Sequence, residues 1–206
     1  MSSRHIDESK AATALFGGHF FDMGRARIGL MQLAAIFAGC EGVVREAARE
    51  GRNIAGWDER DHPLEMLFDD HCTAEVSRLL IEAAVTVRML DDMAGDHVVG
   101  VNFTVGDIDE GSGRRPLTLR EACNKIVHAT NVEFVRGGGT TTFIDKAGEE
   151  VTECIVYLRP TSVELRGTRA DQAWRAELQV YPFIKAATMV TYRYEAALDE
   201  LYEHRA

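Results

Sequence analysis

The sequence predicts an α+β protein that is mainly a helical bundle, with a small antiparallel β-meander inserted before the last helix. Apolar residues recur at helical spacing in four segments, whereas between the third and fourth segments they alternate with polar residues, as in strands with one exposed face. No repeat or low-complexity linker interrupts the chain, so we expect one domain over residues 1–206. The predicted helices cover about residues 23–50, 64–94, 118–129 and 182–204, and the β-insertion covers about 132–181.

The first two predicted helices are long, and each carries an apolar stripe for packing against another helix. In the first helix the apolar positions step by three and four residues, at Leu30, Leu33, Phe37, Cys40 and Val44. Arg25 and Arg27 stand at its start, where a cation opposes the helix dipole. Two interpretations stay open for these arginines: a site for a phosphate or an acidic partner, or plain surface charge.

The third predicted helix has the strongest local signals in the chain. Thr118 and Glu121 fit a capping box, in which each side chain binds a free backbone N–H of the first turn. The predicted core stripe consists of Leu119, Ala122, Cys123, Ile126 and Val127. Three polar residues spaced by four form a second stripe away from the core one, namely Arg120, Asn124 and His128.

The segments around this helix differ from one another in pattern. Residues 95–117 predict a loop with one short strand within 98–105, because acidic residues and glycines crowd the stretch DIDEGSG. After the helix, Gly137-Gly138-Gly139 lies between two short alternating runs and predicts a hairpin turn. Further strands are predicted over 153–158, 162–166 and 174–180.

The residue types of the polar stripe on the third helix suit metal-independent RNA cleavage. Histidine side chains can transfer protons, so His128 is the candidate acid–base that activates a ribose 2′-hydroxyl. Arg120 presents a planar fork that suits the charge building on a phosphate, and Asn124 can orient a hydroxyl or the imidazole. The alternative is a plain solvated or dimer-contacting face, because every surface helix needs polar residues.

Asn124-Lys-Ile-Val-His128 resembles the end of the signature of HEPN domains, the helical higher-eukaryote-and-prokaryote nucleotide-binding superfamily. Many members are RNases of bacterial defence and toxin–antitoxin systems, and their motif is an Arg, often followed by Asn, Asp or His, then a His after a short gap. This chain has Cys123 at the Arg position, so either Arg120, one turn earlier, takes over or the site is inactive. The resemblance implies a homodimer in which this helix faces its twin.

Composition limits the functional classes. The 206 residues carry a formal net charge of −10, which argues against a broad non-specific binder of nucleic acid or membranes. Arg166, Arg169 and Arg175 cluster around the last predicted hairpin and are the candidate substrate-binding residues for RNA, with a solvated face as the alternative.

No cysteine or histidine spacing fits a structural zinc site, and Asp69-Asp70-His71 points in several directions on a helix. We therefore predict no metal and no cofactor. The four widely spaced cysteines suggest buried free thiols and a cytoplasmic location, and no apolar run reaches membrane-spanning length.

Two functions follow from the sequence as hypotheses. The first is a metal-independent endoribonuclease of a bacterial defence or toxin–antitoxin system, with Arg120, Asn124 and His128 as catalytic residues and RNA as substrate. The second is a non-catalytic accessory subunit that dimerises through its helices and binds a protein partner or antitoxin. The acidic net charge and Cys123 favour the second hypothesis, whereas the polar stripe favours the first.

Overall fold

The structure, a computed structural model, describes residues 22–50, 63–94, 103–111, 113–144, 147–170 and 172–203. Side chains are described for 22–39, 71–92, 103–133 except 112, 147–150, 161–196 except 171, and for 199 and 203. The helices are α1 (Met23–Glu50), α2 (Pro63–Ala94), α3 (Leu119–His128) and α4 (Val180–Glu203). The strands are β1 (Thr104–Asp109), β2 (Arg114–Thr118), β3 (Asn131–Ile144), β4 (Glu150–Arg169) and β5 (Gln172–Gln179).

The strands form one antiparallel sheet in the order β2-β1-β5-β4-β3. The prediction of a mainly helical bundle with a small meander inserted before the last helix is therefore wrong. The described part of the chain is an α+β fold in which a five-stranded sheet is a full partner of the four helices, and two of its strands precede α3. The helices themselves begin and end within a few residues of the predicted bounds.

The first hairpin, β1–β2, occupies residues that the sequence predicted as loop. A register shift between Thr104 and Gly106 breaks the alternation, so the buried residues Val105 and Ile108 are three positions apart. That spacing hides the period of two on which strand prediction depends. Gly106 is needed at this irregularity because a Cβ there would lie 2.0 Å from the carbonyl oxygen of Glu177 on β5.

The three glycines 137–139 do not form the predicted hairpin turn. They lie inside β3, where they pair with Tyr157, Val156 and Ile155 of β4. The separate strands predicted over 153–158 and 162–166 are parts of the single strand β4. Glycine still offers its backbone N–H and carbonyl to a neighbouring strand, so a run of glycines weakens a strand without ending it.

The core lies between the four helices and one face of the sheet. Leu33 and Phe37 of α1 are fully buried, as are Leu80 of α2 and Phe183 of α4. Strand β5 follows the predicted alternation, with Trp174, Ala176 and Leu178 buried on the helical side. On β4, Gly167 lies opposite Trp174, and a Cβ there would come within 2.3 Å of the indole ring. The ring therefore occupies the space that a side chain at residue 167 would need.

Helix α3 has the predicted N-cap, Thr118, but the Glu121 carboxylate of the predicted capping box binds Arg115 instead of the cap backbone. The Thr118 hydroxyl accepts the Glu121 backbone N–H at 3.4 Å. Its buried residues differ from the predicted stripe in one respect: Val127 is exposed, whereas Lys125 is buried.

The buried Lys125 ties α3 to the sheet and to the β1–β2 turn. Its ammonium nitrogen lies 4.5 Å from the centre of the Trp174 ring and 2.7 Å from Oε1 of Glu110. Arg115 of β2 donates to the same carboxylate at 2.7 Å and to Glu121 of α3 at 2.6 Å. Hydrogen bonds from Lys125 and from Arg115 lower the pKa of Glu110 below its usual value, so the carboxylate stays ionised.

We predict that Glu110→Gln destabilises the protein in a pH-dependent way. A carboxylate with a lowered folded pKa contributes stability above its unfolded pKa, about 4.3, and loses that contribution as the pH falls through the folded pKa. The difference in unfolding free energy between wild type and Glu110→Gln should be constant near neutral pH and shrink below about pH 4.3. Urea denaturation at a series of pH values measures it, with Glu203→Gln, an exposed glutamate, as control. A difference that stays constant or grows in acid would contradict the Lys125–Glu110 pair.

Candidate functional site

The polar stripe of α3 lies against α2. Ala122 and Cys123 are fully buried between the two helices and the sheet, which places Arg120 and Asn124 beside the C-terminal part of α2. Both side chains contact residues of α2. The stripe is thus partly an internal contact surface between two helices.

Arg120 is bound by two aspartates of α2. Its guanidinium donates to Asp91 and to Oδ1 of Asp92, the latter at 2.7 Å. These aspartates lie near the C-terminal end of α2, where negative charge is unfavourable and where the helix has no basic residue in its last turn. Arg120 supplies the missing cation from the neighbouring helix. Its charge is therefore compensated within the chain, which leaves little for a phosphate.

Asn124 has a partner that sequence reasoning missed. Its side-chain oxygen accepts a hydrogen bond from Nη1 of Arg88 on α2, and Nε of Arg88 lies 3.7 Å from Oδ2 of Asp92. The structure therefore brings a second guanidinium to the stripe. Arg88 gave no sequence signal, because only tertiary packing puts it beside α3, 36 residues along the chain.

His128 is exposed in the last turn of α3. Its imidazole has no hydrogen bond or ion pair with any residue that the structure describes. Eight residues separate it from Arg120, which corresponds to about 12 Å along the helix axis. Arg120 is bound to Asp91 and Asp92 of α2 rather than directed along α3, whereas Asn124 is one turn from His128 and accepts a hydrogen bond from Arg88.

Cys123 stands at the position that the HEPN motif gives to Arg. Its thiol is buried, and burial raises the pKa of Cys123 to about 12 against the opposing charges of Arg88 and Arg120. The thiol is therefore protonated at neutral pH and does not act as a nucleophile. Its role in the described structure is packing.

The three candidate substrate-binding arginines are not part of the α3 stripe. Arg166 and Arg175 are register partners on β4 and β5, on the sheet face opposite to the one that α3 contacts, and Arg169 is exposed at the end of β4. Arg166 and Arg175 both donate to Glu164. Burial raises the pKa of Glu164, but the hydrogen bonds from Arg175 and Arg166 outweigh it and lower the pKa overall. Glu164 thus neutralises part of the charge proposed for RNA.

Two further observations concern metals and membranes. No group of three His, Cys, Asp or Glu side chains that could hold a metal occurs among the described residues. Asp69 and Asp70 of the predicted Asp-Asp-His cluster lie outside the described side chains, although their backbone belongs to α2. None of the helices in the described ranges combines the length and the apolar character needed to cross a membrane.

No protein-family model matches the chain, and neither does a curated protein or a solved structure. The resemblance to HEPN domains therefore stays a prediction that depends on residues 124–128 alone.

We predict that Arg120 is coupled more strongly to Asp91 than to Asp92. The side chain of Asp91 is 9% exposed and that of Asp92 is 50% exposed, so solvent screens the second pair more. Double-mutant cycles with alanine substitutions and urea denaturation should give a coupling above about 1 kcal/mol for Arg120–Asp91 and below about 0.5 kcal/mol for Arg120–Asp92. Equal couplings, or the reverse order, would contradict the internal role of Arg120.

Proposed function

We propose that the protein is a non-catalytic interaction subunit that self-associates through an exposed face of α1 and α4. The observation that carries this proposal is a group of large apolar side chains left in solvent on these helices. Ile28 is 53% exposed, Met31 is 64% exposed and Tyr192 is 56% exposed. We call the surface of Ile28, Met31 and Tyr192 the α1–α4 face.

Arg27 joins the two helices beneath this face. Its guanidinium lies 4.0 Å from the centre of the Tyr192 ring and pairs with Glu195 at 2.5 Å. Met31 follows Arg27 by one helical turn and therefore lies on the same side of α1. Tyr192 and Met31 thus flank an anchored arginine, and these three residue types are enriched at the centres of protein interfaces.

The absence of charged residues on this part of α1 favours a second copy of the chain as the occupant. Two copies with a net charge of −10 each repel one another. Helix α1 has no charged residue between Ile28 and Gly39, and its exposed positions in this range include Ala35 and Gly39. This face therefore allows two copies to approach without burying a charge, and its small residues allow close packing of helices.

The contacts of the α3 stripe support the non-catalytic part of the proposal. Two positive and two negative charges meet where the stripe contacts α2, from Arg88, Arg120, Asp91 and Asp92. This contact therefore has no net charge. A site that stabilises a phosphoryl transition state needs positive charge that its own chain does not consume. The stripe instead docks α3 on α2.

We predict that the wild-type protein is a dimer and that Ile28→Glu is a monomer. In a dimer the substitution puts one carboxylate from each copy beside the apolar side chains of Met31 and Tyr192, and these two like charges oppose association. Val127→Glu is the matched variant, because Val127 is an exposed apolar residue on α3. It should leave the dimer intact. Sedimentation equilibrium measures both variants, with circular dichroism as the check on folding.

Two results would contradict this assignment. A monomeric wild type would remove self-association altogether. Loss of the dimer in Val127→Glu but not in Ile28→Glu would move the interface to α3, as the HEPN resemblance implies.

One observation favours a second candidate function, a metal-independent endoribonuclease. His128 is exposed and without a described partner, and Arg88 adds to Asn124 the guanidinium that Cys123 does not provide. In this candidate His128 is the acid–base, Asn124 orients it, and Arg88 rather than Arg120 stabilises the phosphate. A bacterial defence or toxin–antitoxin system would be its setting.

Cleavage of RNA by the purified protein in EDTA separates the two functions. The non-catalytic function predicts no cleavage by wild type. The endoribonuclease function predicts cleavage that falls roughly a hundredfold or more in His128→Ala, because general acid–base catalysis contributes that much. It also predicts a loss in Arg88→Ala, whereas equal activity in wild type and His128→Ala identifies a contaminating nuclease.

A further inference from the structure

A groove of about 460 Å³ lies between the N-terminal half of α1 and the C-terminal half of α2. It exists because Gly29 of α1 faces Leu79 of α2, so there is no side chain on α1 to fill the space. A Cβ at residue 29 would be 3.6 Å from Leu79, which is ordinary contact and leaves room beyond it. The volume is within the range of small-molecule sites.

The floor and one edge of the groove are apolar. Leu79 and Ala83 are buried beneath it, and Ile81 and Val85 also line it while remaining exposed. A ligand that removes exposed aliphatic side chains of this size from water lowers the free energy of the system. The groove therefore favours an occupant with a hydrocarbon part.

The polar side chains that line the groove already make hydrogen bonds or ion pairs, except for that of Arg25. Asp22 caps α1 by accepting the Arg25 backbone N–H at 2.9 Å, and Glu82 accepts from Arg78 at 2.6 Å. The Thr86 hydroxyl donates to the backbone of its own helix at 2.8 Å. The guanidinium of Arg25 has no hydrogen bond or ion pair with any residue in the described ranges.

The two arginines at the start of α1 thus differ in the structure. Arg27 is bound by Glu195 and Tyr192 of α4, whereas Arg25 points its free charge at a groove with an apolar floor. Arg25 also lies in the first turn of α1, where the helix dipole adds positive potential. Arg25 is the one cation among the described residues that line the groove, and it lies with the carboxylates of Asp22 and Glu82. These carboxylates already accept hydrogen bonds from the Arg25 backbone and from Arg78. The guanidinium of Arg25 and the apolar floor match a molecule with one anionic end and one aliphatic end.

We propose that the α1–α2 groove binds an aliphatic carboxylate of medium chain length. The carboxylate pairs with Arg25, and the chain lies on Leu79 and Ala83 with Ile81 and Val85 along its edge. This ligand site adjoins the α1–α4 face, because Arg25 and Ile28 are three residues apart and hence neighbours on α1, but its lining residues differ from Ile28, Met31 and Tyr192. Ligand binding and oligomeric state are therefore separate measurements, and either can fail alone.

Titration calorimetry with sodium decanoate below its micelle concentration tests the proposal, with decanol as the uncharged ligand of equal chain length. We expect saturable decanoate binding by wild type that weakens about tenfold or more in Arg25→Gln, because a charge-assisted hydrogen bond is lost. Decanol binding should be the same in wild type and Arg25→Gln. Arg193→Gln, a change at an exposed arginine of α4, is the matched control and should bind decanoate as wild type does.

Gly29→Leu provides a second, steric test. The added Cβ would lie in ordinary contact with Leu79, and the rest of the leucine side chain would occupy groove volume, so both ligands should lose binding while the helical circular dichroism is retained. Non-saturable binding by wild type would overturn the proposal. Equal affinity of Arg25→Gln and wild type for decanoate would overturn it too, as would unchanged binding by Gly29→Leu.

Discussion

The buried ammonium group of Lys125 is the constraint on which the arrangement of the other elements depends. A charge removed from water costs several kcal/mol unless it is paired. Here Glu110 and the face of Trp174 provide the pairing, and they come from the β1–β2 turn and from β5. Lys125 therefore ties the position of α3 to the hairpin and to the sheet at once. The same position sets α3 against α2, where Arg120 compensates two aspartates at the helix end.

The polar stripe of α3 consequently has a structural use that its sequence did not indicate. Arg120 and Asn124 make hydrogen bonds to α2, and of the three stripe residues only His128 extends into solvent without a described partner. The neutral sum of its charges separates this stripe from a phosphate site. Two exposed features of the described surface lie on α1: the apolar α1–α4 face, which Tyr192 of α4 completes, and the guanidinium of Arg25 in the groove towards α2. Because both features lie on α1, we propose that this helix carries the functional surfaces of the molecule.

The limits of prediction are visible at particular residues. The three long helices α1, α2 and α4 could be predicted, because a period of 3.6 over twenty or more residues is a strong signal. Strand β1 could not be predicted, because its register shift at Gly106 removes the alternation. The sequence predicted a turn within β3, because its three glycines have no side chains and pair only through the backbone. At the site, the Thr118 cap was local and predictable. The contacts of α3 with Arg88, Asp91 and Asp92 could not be predicted. These residues are distant from α3 in the sequence, and only tertiary packing brings them to it.

The most direct test of the central claim is whether RNA reaches the arginines of the α3 stripe. The guanidinium Nε–H resonances of ¹⁵N-arginine-labelled protein can be followed by NMR while a short single-stranded RNA is added, with Arg88→Lys and Arg120→Lys used for assignment. Our account predicts that the Arg88 and Arg120 resonances do not move, because Asn124 and the aspartates of α2 already hold both side chains. Saturable shifts of these two resonances would contradict the account and establish the stripe as a nucleic-acid site.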